Sequence, residues 1–165
     1  MKILVAGIGN IFHGDDAFGV EVANRLALRK LPPEVKLVEL GIRGFDLAYA
    51  LLDGYDVNIL IDATARGSEP GTLYTIEIDP HAAGESGMDG GAHGMNPMRV
   101  LQMAEAMGGC PGRVLLVGCE PETLGSEEEG LMGLSATVDA AADRAVGVVE
   151  KLVGKLLVED RNAAA

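Results

Sequence analysis

The chain has 165 residues, 48% of them hydrophobic, with 25 acidic against 13 basic side chains and a net charge of −12. That length suits one domain with a sizeable core, and the charge argues against a nucleic-acid partner, because neutralising phosphates needs a basic patch. No apolar run approaches the ~20 residues that cross a bilayer, and the few residues before Gly7 do not make a signal peptide, so a cytoplasmic protein with no membrane partner is expected.

Residues 3–6 form a short apolar run that suits a central strand buried on both faces. The glycine-rich segment Gly7–Gly19 follows it directly and carries the adjacent carboxylates Asp15 and Asp16 into a helix expected over residues 16–30, which Pro32 and Pro33 terminate. One carboxylate suffices to favour a helix start through the dipole and its free N–H groups. The second needs another purpose. A dinucleotide fingerprint is disfavoured, since Phe12 occupies the third glycine position and two acids would repel a pyrophosphate.

Residues 35–40 read as the next strand, Gly41 and Gly44 bracket a tight loop, and residues 45–52 suit a short helix. A second buried strand covers residues 57–61 and places Asp62 at its carboxyl end. Residues 72–78 alternate as an edge strand does. Residues 79–96 hold five glycines and two histidines, His81 and His93, with no period; loops of this length inside a domain are usually functional. Pro97 opens a helix to about residue 107, residues 113–118 suit the last central strand, and Ser135 can cap a long C-terminal helix. Cys110 and Cys119 are too far apart for a Cys-x-x-Cys motif and read as small buried hydrophobes.

The alternation of strands and helices predicts an α/β, single-domain, three-layer fold: a mostly parallel, twisted sheet of about five strands with helices on both faces. The domain is expected over residues 1–158, with 159–165 as a flexible tail. Such sheets bind ligands outside the carboxyl ends of their strands. Asp15 and Asp16, Asp62, and the loop holding His93 all reach that edge. Together they can offer two carboxylate oxygens and one imidazole nitrogen to a divalent cation such as zinc, nickel, manganese or iron. Neither a His-Glu-x-x-His helix nor a Gly-x-Ser-x-Gly elbow is present.

Several ordered segments then carry a resemblance: Gly7-Ile-Gly-Asn, Gly14-Asp-Asp-Ala-Phe-Gly19, Ile61-Asp62-Ala63 ahead of a Pro-Gly turn, the His93 loop, and Val117-Gly-Cys-Glu-Pro-Glu-Thr-Leu124. From residue 2 to about residue 152 the chain resembles the [NiFe]-hydrogenase maturation endopeptidases. The resemblance implies an α/β hydrolase that removes a short C-terminal peptide from a hydrogenase large-subunit precursor after nickel insertion. Its metal-contacting positions fall on Asp16, Asp62 and His93, which would then serve as both metal-binding and catalytic residues. The metal is expected to be nickel supplied by the precursor, with zinc or another divalent ion as a surrogate. Where the family often has Glu, this chain has the shorter Asp16. In the loop where it often has Asp-Gly-Gly-Thr, this chain has Glu39-Leu-Gly-Ile-Arg43, and Glu39 and Arg43 are expected to face the substrate. Two other readings stay open: a non-catalytic nickel-sensing chaperone or assembly checkpoint, and a nucleotide-binding α/β module.

Overall fold

The computed structural model describes residues 1–79, 96–126 and 128–165. Five strands, β1 (Ile3–Ile8), β2 (Val35–Gly41), β3 (Val57–Ala63), β4 (Leu73–Ile78) and β5 (Arg113–Cys119), form one sheet in the order β2-β1-β3-β5-β4. All neighbours are parallel except β4, which runs antiparallel along β5 at the edge. The central strands start in register, Ile3 beside Val35 and Val57, and Val57 beside Arg113. Their carboxyl ends therefore meet at one edge.

Helices cover both faces, as the strand composition requires. Ile3, Val5, Ile59, Ile61 and Val117 point to one side, where Phe18 and Val22 of α1 (Phe18–Leu26) and Val138, Val149 and Val153 of α4 (Ala136–Ala163) complete a core. The alternate residues Leu4, Ala6, Ile8, Leu60 and Leu116 meet Leu47 and Leu51 of α2 (Gly44–Leu51) and Leu101 of α3 (Pro97–Ala106). A strand buried on both faces reads as a continuous apolar run, which is why β1, β3 and β5 were visible in the sequence. The α/β three-layer expectation holds.

Two glycines set how closely α1 approaches the sheet. A Cβ at Gly19 would lie 2.0 Å from the carbonyl oxygen of Ile61 and 2.3 Å from that of Ile8, and one at Gly7 would lie 2.3 Å from the carbonyl oxygen of Gly19. Close helix–strand packing is thus supplied by Gly7 and Gly19, and Phe12 does not obstruct it. That ring lies out in the loop, exposed.

Several boundaries differ from expectation for local reasons. The helix expected from residue 16 begins as a 3-10 turn over Gly14–Ala17 and its α-helical part ends at Leu26. Leu28 is 88% exposed, so nothing apolar extends the packed face. Strand β3 runs to Ala63, which puts Asp62 inside the strand, beside Gly118 of β5. The Asn96 side chain caps α3 by accepting from the Met98 N–H at 2.9 Å, and Ser135 caps α4 by accepting from Val138 at 3.3 Å. Residues 159–163, expected in the tail, continue α4, and the Asp160 carboxylate lies 3.3 Å from the N-terminal ammonium group. Cys119 is buried, whereas Cys110 is exposed, contrary to the reading of both as buried. Arg25 pairs with Glu21 of its own helix (3.0 Å) and, across the seam with α4, with the carboxylates of Asp139 (2.5 Å) and Asp143 (2.8 Å), and Arg29 meets Glu150 at 2.6 Å.

Candidate active site

The chain leaves β1, lays β2 on one side of it and β3 on the other. Strand order reverses there, and in open α/β sheets the crevice at such a reversal is where ligands bind. Asp16 comes from the loop after β1 and Asp62 from the end of β3, so both belong to this crevice.

Gly9 brings them together. Its φ of 135° is a conformation that favours glycine, and a Cβ there would lie 1.9 Å from the Asp16 carbonyl oxygen and 3.8 Å from Asp62 Oδ1. The Gly9 N–H is held by the Gly41 carbonyl at 2.9 Å, which ties the loop to the end of β2. The Asn10 N–H then donates to Asp16 Oδ2 at 2.8 Å, while Asn10 Oδ1 accepts from the Phe12 N–H at 2.9 Å. Asp16 is therefore aimed by backbone.

Both carboxyl groups are raised, chiefly by burial. Burial raises the Asp62 carboxyl well above its ordinary value, the nearby Asp16 charge raises it further, and the Ala63 N–H opposes both only in part. Burial also raises Asp16, against the N–H of Asn10 and the charge of His13. Among the described residues no lysine or arginine forms an ion pair with either acid. Such a pair, desolvated and short of positive charge, holds a proton tightly or accepts a cation.

His93 and His81 lie outside the described residues, so the third donor of the expected trio has no position here. Among the described residues no three His, Cys, Asp or Glu side chains are grouped to hold a metal. Glu39 is exposed on β2, with its Oε1 near Gly41. Arg43 turns back on its own loop. Its Nη2 donates to the Glu39 carbonyl at 2.7 Å and its Nε to that of Leu40 at 3.1 Å, with Asp46 at 3.5 Å and more than half of the side chain exposed.

The other carboxylates at this edge are anchors. Asp15 is fully buried and accepts four hydrogen bonds from the segment between β5 and α4. Glu120, just past β5, is buried too. Its Oε2 accepts from the Arg66 N–H at 2.7 Å and the Tyr74 hydroxyl at 2.9 Å, and its Oε1 from the Gly67 N–H at 3.2 Å. Burial alone would raise Glu120, but these donors outweigh it and leave the acid below its ordinary value. Sequence reading assigned Glu120 no role. The available signal was an acid ending a wholly apolar strand, where an ionised group persists only if donors surround it.

Similarity to known proteins agrees with the fold. A family model described as hydrogenase maturation protease, HycI, matches residues 20–152, starting just after Asp16. The hydrogenase expression/formation protein HupD of Rhodobacter capsulatus is 36% identical over 124 residues, which cover 74% of this chain and 59% of that protein. HoxM of Cupriavidus necator is 30% identical over 156 residues, covering 92% and 76%. The chain spans 59–62% of the length of three HupD relatives it matches. Among solved structures, the hydrogenase maturating endopeptidase HybD from E. coli superposes with a TM-score of 0.77 at 29% identity, over 94% of this chain and 93% of that one. The [NiFe] hydrogenase maturation protease HycI from Thermococcus kodakarensis gives 0.72 at 26% identity, over 93% and 92%. With a family model over most of its length and a relative matching nine tenths of it, the chain belongs to the hydrogenase maturation protease family.

Proposed function

We propose that the protein is an endopeptidase acting in the cytoplasm, removing a short C-terminal peptide from the precursor of a [NiFe]-hydrogenase large subunit once nickel has been inserted. The observation that carries this reading is the pair of carboxylates Asp16, half-buried, and Asp62, buried, both raised by burial and Asp62 further by the Asp16 charge, at the strand-order reversal of a hydrogenase maturation protease fold. Nickel reaches the site as part of the substrate. Asp16, Asp62 and His93 meet it there, and zinc or another divalent ion can stand in as a surrogate.

The chemistry asked of the protein is amide hydrolysis. Water adds to the scissile carbonyl carbon, the C–N bond breaks, and the proton lost by the water ends on the departing amine. A carboxyl group held above its ordinary pKa is a better base near neutral pH than a solvated aspartate, and Asp16 and Asp62 both have that property. No Ser or Cys elbow supplies a covalent nucleophile, so direct attack by water is the economical route. Glu39, exposed near the end of β2, and Arg43, exposed on the loop that follows, meet the precursor's terminal segment. The exposed apolar residues Ile11, Phe12, Leu131 and Met132 near the acid loop suit a protein substrate better than a small solute.

The test is intact-mass spectrometry of a cognate large-subunit precursor, nickel-loaded or nickel-free, after incubation with this protein or its Asp16→Asn variant. Loss of a C-terminal peptide only with nickel and only with the unaltered protein is expected. Complex formation without any mass change would replace the endopeptidase reading with that of a non-catalytic assembly checkpoint.

A further inference from the structure

Two adjacent aspartates sit at one loop, and only one faces the crevice. The geometry points to a division of labour in which Asp15 is a positioning residue: its carboxylate latches the loop that carries Asp16 to the segment between β5 and α4, and so fixes Asp16 against Asp62. This rests on the endopeptidase reading above.

The latch is built from both ends. Asp15 Oδ2 accepts from the N–H groups of Glu122 (2.8 Å) and Thr123 (3.0 Å) and from the Ser135 hydroxyl (2.9 Å), and Oδ1 accepts from the Ser135 N–H at 2.7 Å. Backbone bonds run alongside. The Asp15 N–H donates to the Thr123 carbonyl at 2.9 Å, Gly14 to Leu131 at 2.7 Å, and the Leu131 N–H to the Phe12 carbonyl at 2.8 Å. Gly14 is pressed into this seam, since a Cβ there would lie 2.7 Å from the Thr123 carbonyl oxygen. The side chain is wholly buried. Asp15 therefore cannot reach a substrate, yet it is the residue before Asp16, and no shift of one leaves the other in place.

Four donors converge on the Asp15 carboxylate, whereas among the described residues the Asp16 carboxylate accepts from the Asn10 N–H. A buried carboxylate with donors on both oxygens holds its surroundings in a single arrangement, and it joins a single 3-10 turn to the segment after β5. Ser135 links the latch to α4, because the hydroxyl that donates to Asp15 also accepts from the Val138 N–H at 3.3 Å. The segment from Glu122 to Ser135 is thereby coupled to the position of Asp16.

The experiment compares Asp15→Asn, Ser135→Ala and Ser135→Thr with the unaltered protein, at a temperature where circular dichroism shows each fully folded. Cleavage of the nickel-loaded precursor gives kcat and KM, and hydrogen exchange by mass spectrometry reads residues 9–17 and 122–135. Misplacing a reacting group by about 1 Å costs up to ~10²-fold in rate. Asp15→Asn is expected to lose about that in kcat with little change in KM, to loosen both segments together, and to leave exchange in β3 unchanged. Ser135→Ala is expected to do the same more weakly, and Ser135→Thr, which keeps the hydroxyl, to restore kcat. Unaltered kcat in folded Asp15→Asn, or equal loss in Ser135→Ala and Ser135→Thr, overturns the proposal. If Asp15→Asn does not fold, the Ser135 pair decides. If the unaltered protein cleaves nothing, the endopeptidase reading fails, and the exchange data alone judge the latch: joint loosening of the two segments supports it, independent behaviour overturns it.

Discussion

Replacing Gly19 with alanine tests whether the approach of α1 to the sheet sets the site as well as the core. The new Cβ would sit 2.0 Å from the Ile61 oxygen and 2.3 Å from the Ile8 oxygen, where carbon–oxygen contacts of this kind settle at about 3.3 Å or more. Both obstacles are backbone carbonyls of central strands, so the helix must retreat by about 1 Å. Overpacking of this type costs about 1–3 kcal/mol, and alanine's better helix propensity returns up to about 1 kcal/mol. A net destabilisation of about 2 kcal/mol follows, readable by urea denaturation. Ile61 precedes Asp62, and Gly19 lies three residues beyond Asp16, so the same retreat widens the gap between the acids and lowers precursor cleavage by up to ~10²-fold in folded protein. Gly147→Ala in α4 is the control: nothing lies within 4 Å of its Cβ position, and it should stabilise by up to about 1 kcal/mol. Gly19→Ala with unchanged denaturation and cleavage would refute the reasoning.

Other outcomes follow from the same geometry. Asp62→Asn should remove cleavage and yet raise the melting temperature at neutral pH. The folded protein holds the Asp62 proton above the unfolded value, so this group's contribution to stability is present in acid and falls as pH rises from the unfolded to the folded pKa; the advantage of the variant should accordingly shrink towards zero below about pH 4, and a constant advantage at every pH would contradict this. Arg25→Ala removes one cation from three carboxylates, two of them across the α1–α4 seam, and should cost about 1 kcal/mol in thermal denaturation, less in high salt. Arg43→Ala should change stability by less than about 1 kcal/mol, since its side chain is more than half exposed, while raising KM for the precursor; an unchanged KM would remove Arg43 from substrate recognition.

The fold was legible because its determinants are local and strong. β1, β3 and β5 are largely apolar runs, Pro97 and Ser135 mark helix starts, and Pro32 with Pro33 closes the region of α1. The ends of elements were less so. Whether α4 stops at residue 158 or continues to Ala163 depends on contacts such as Met1 with Asp160, which join the two ends of the chain and leave no trace in a local pattern. At the site, the sequence placed Asp16 and Asp62 at one edge correctly. The resemblance singled out Asp16, but the residues alone gave Asp15 no separate work, because their difference lies in which one faces Glu122, Thr123 and Ser135, more than a hundred residues away. Glu120 escaped notice for the same reason, its donors being supplied by the turn after β3.

The two cysteines give the protein a ready means of observation. Cys119 ends β5 in the core, and burial, reinforced by the Asp15 and Glu120 charges, pushes its thiol up to about 12. It stays protonated at any pH used for maleimide coupling. Cys110 is exposed just ahead of Arg113, at the amino edge of the sheet and across its full width from Asp16 and Asp62. A fluorophore or spin label added to the native protein should therefore attach at one position remote from the chemistry, so that precursor binding can be followed without engineering either cysteine away.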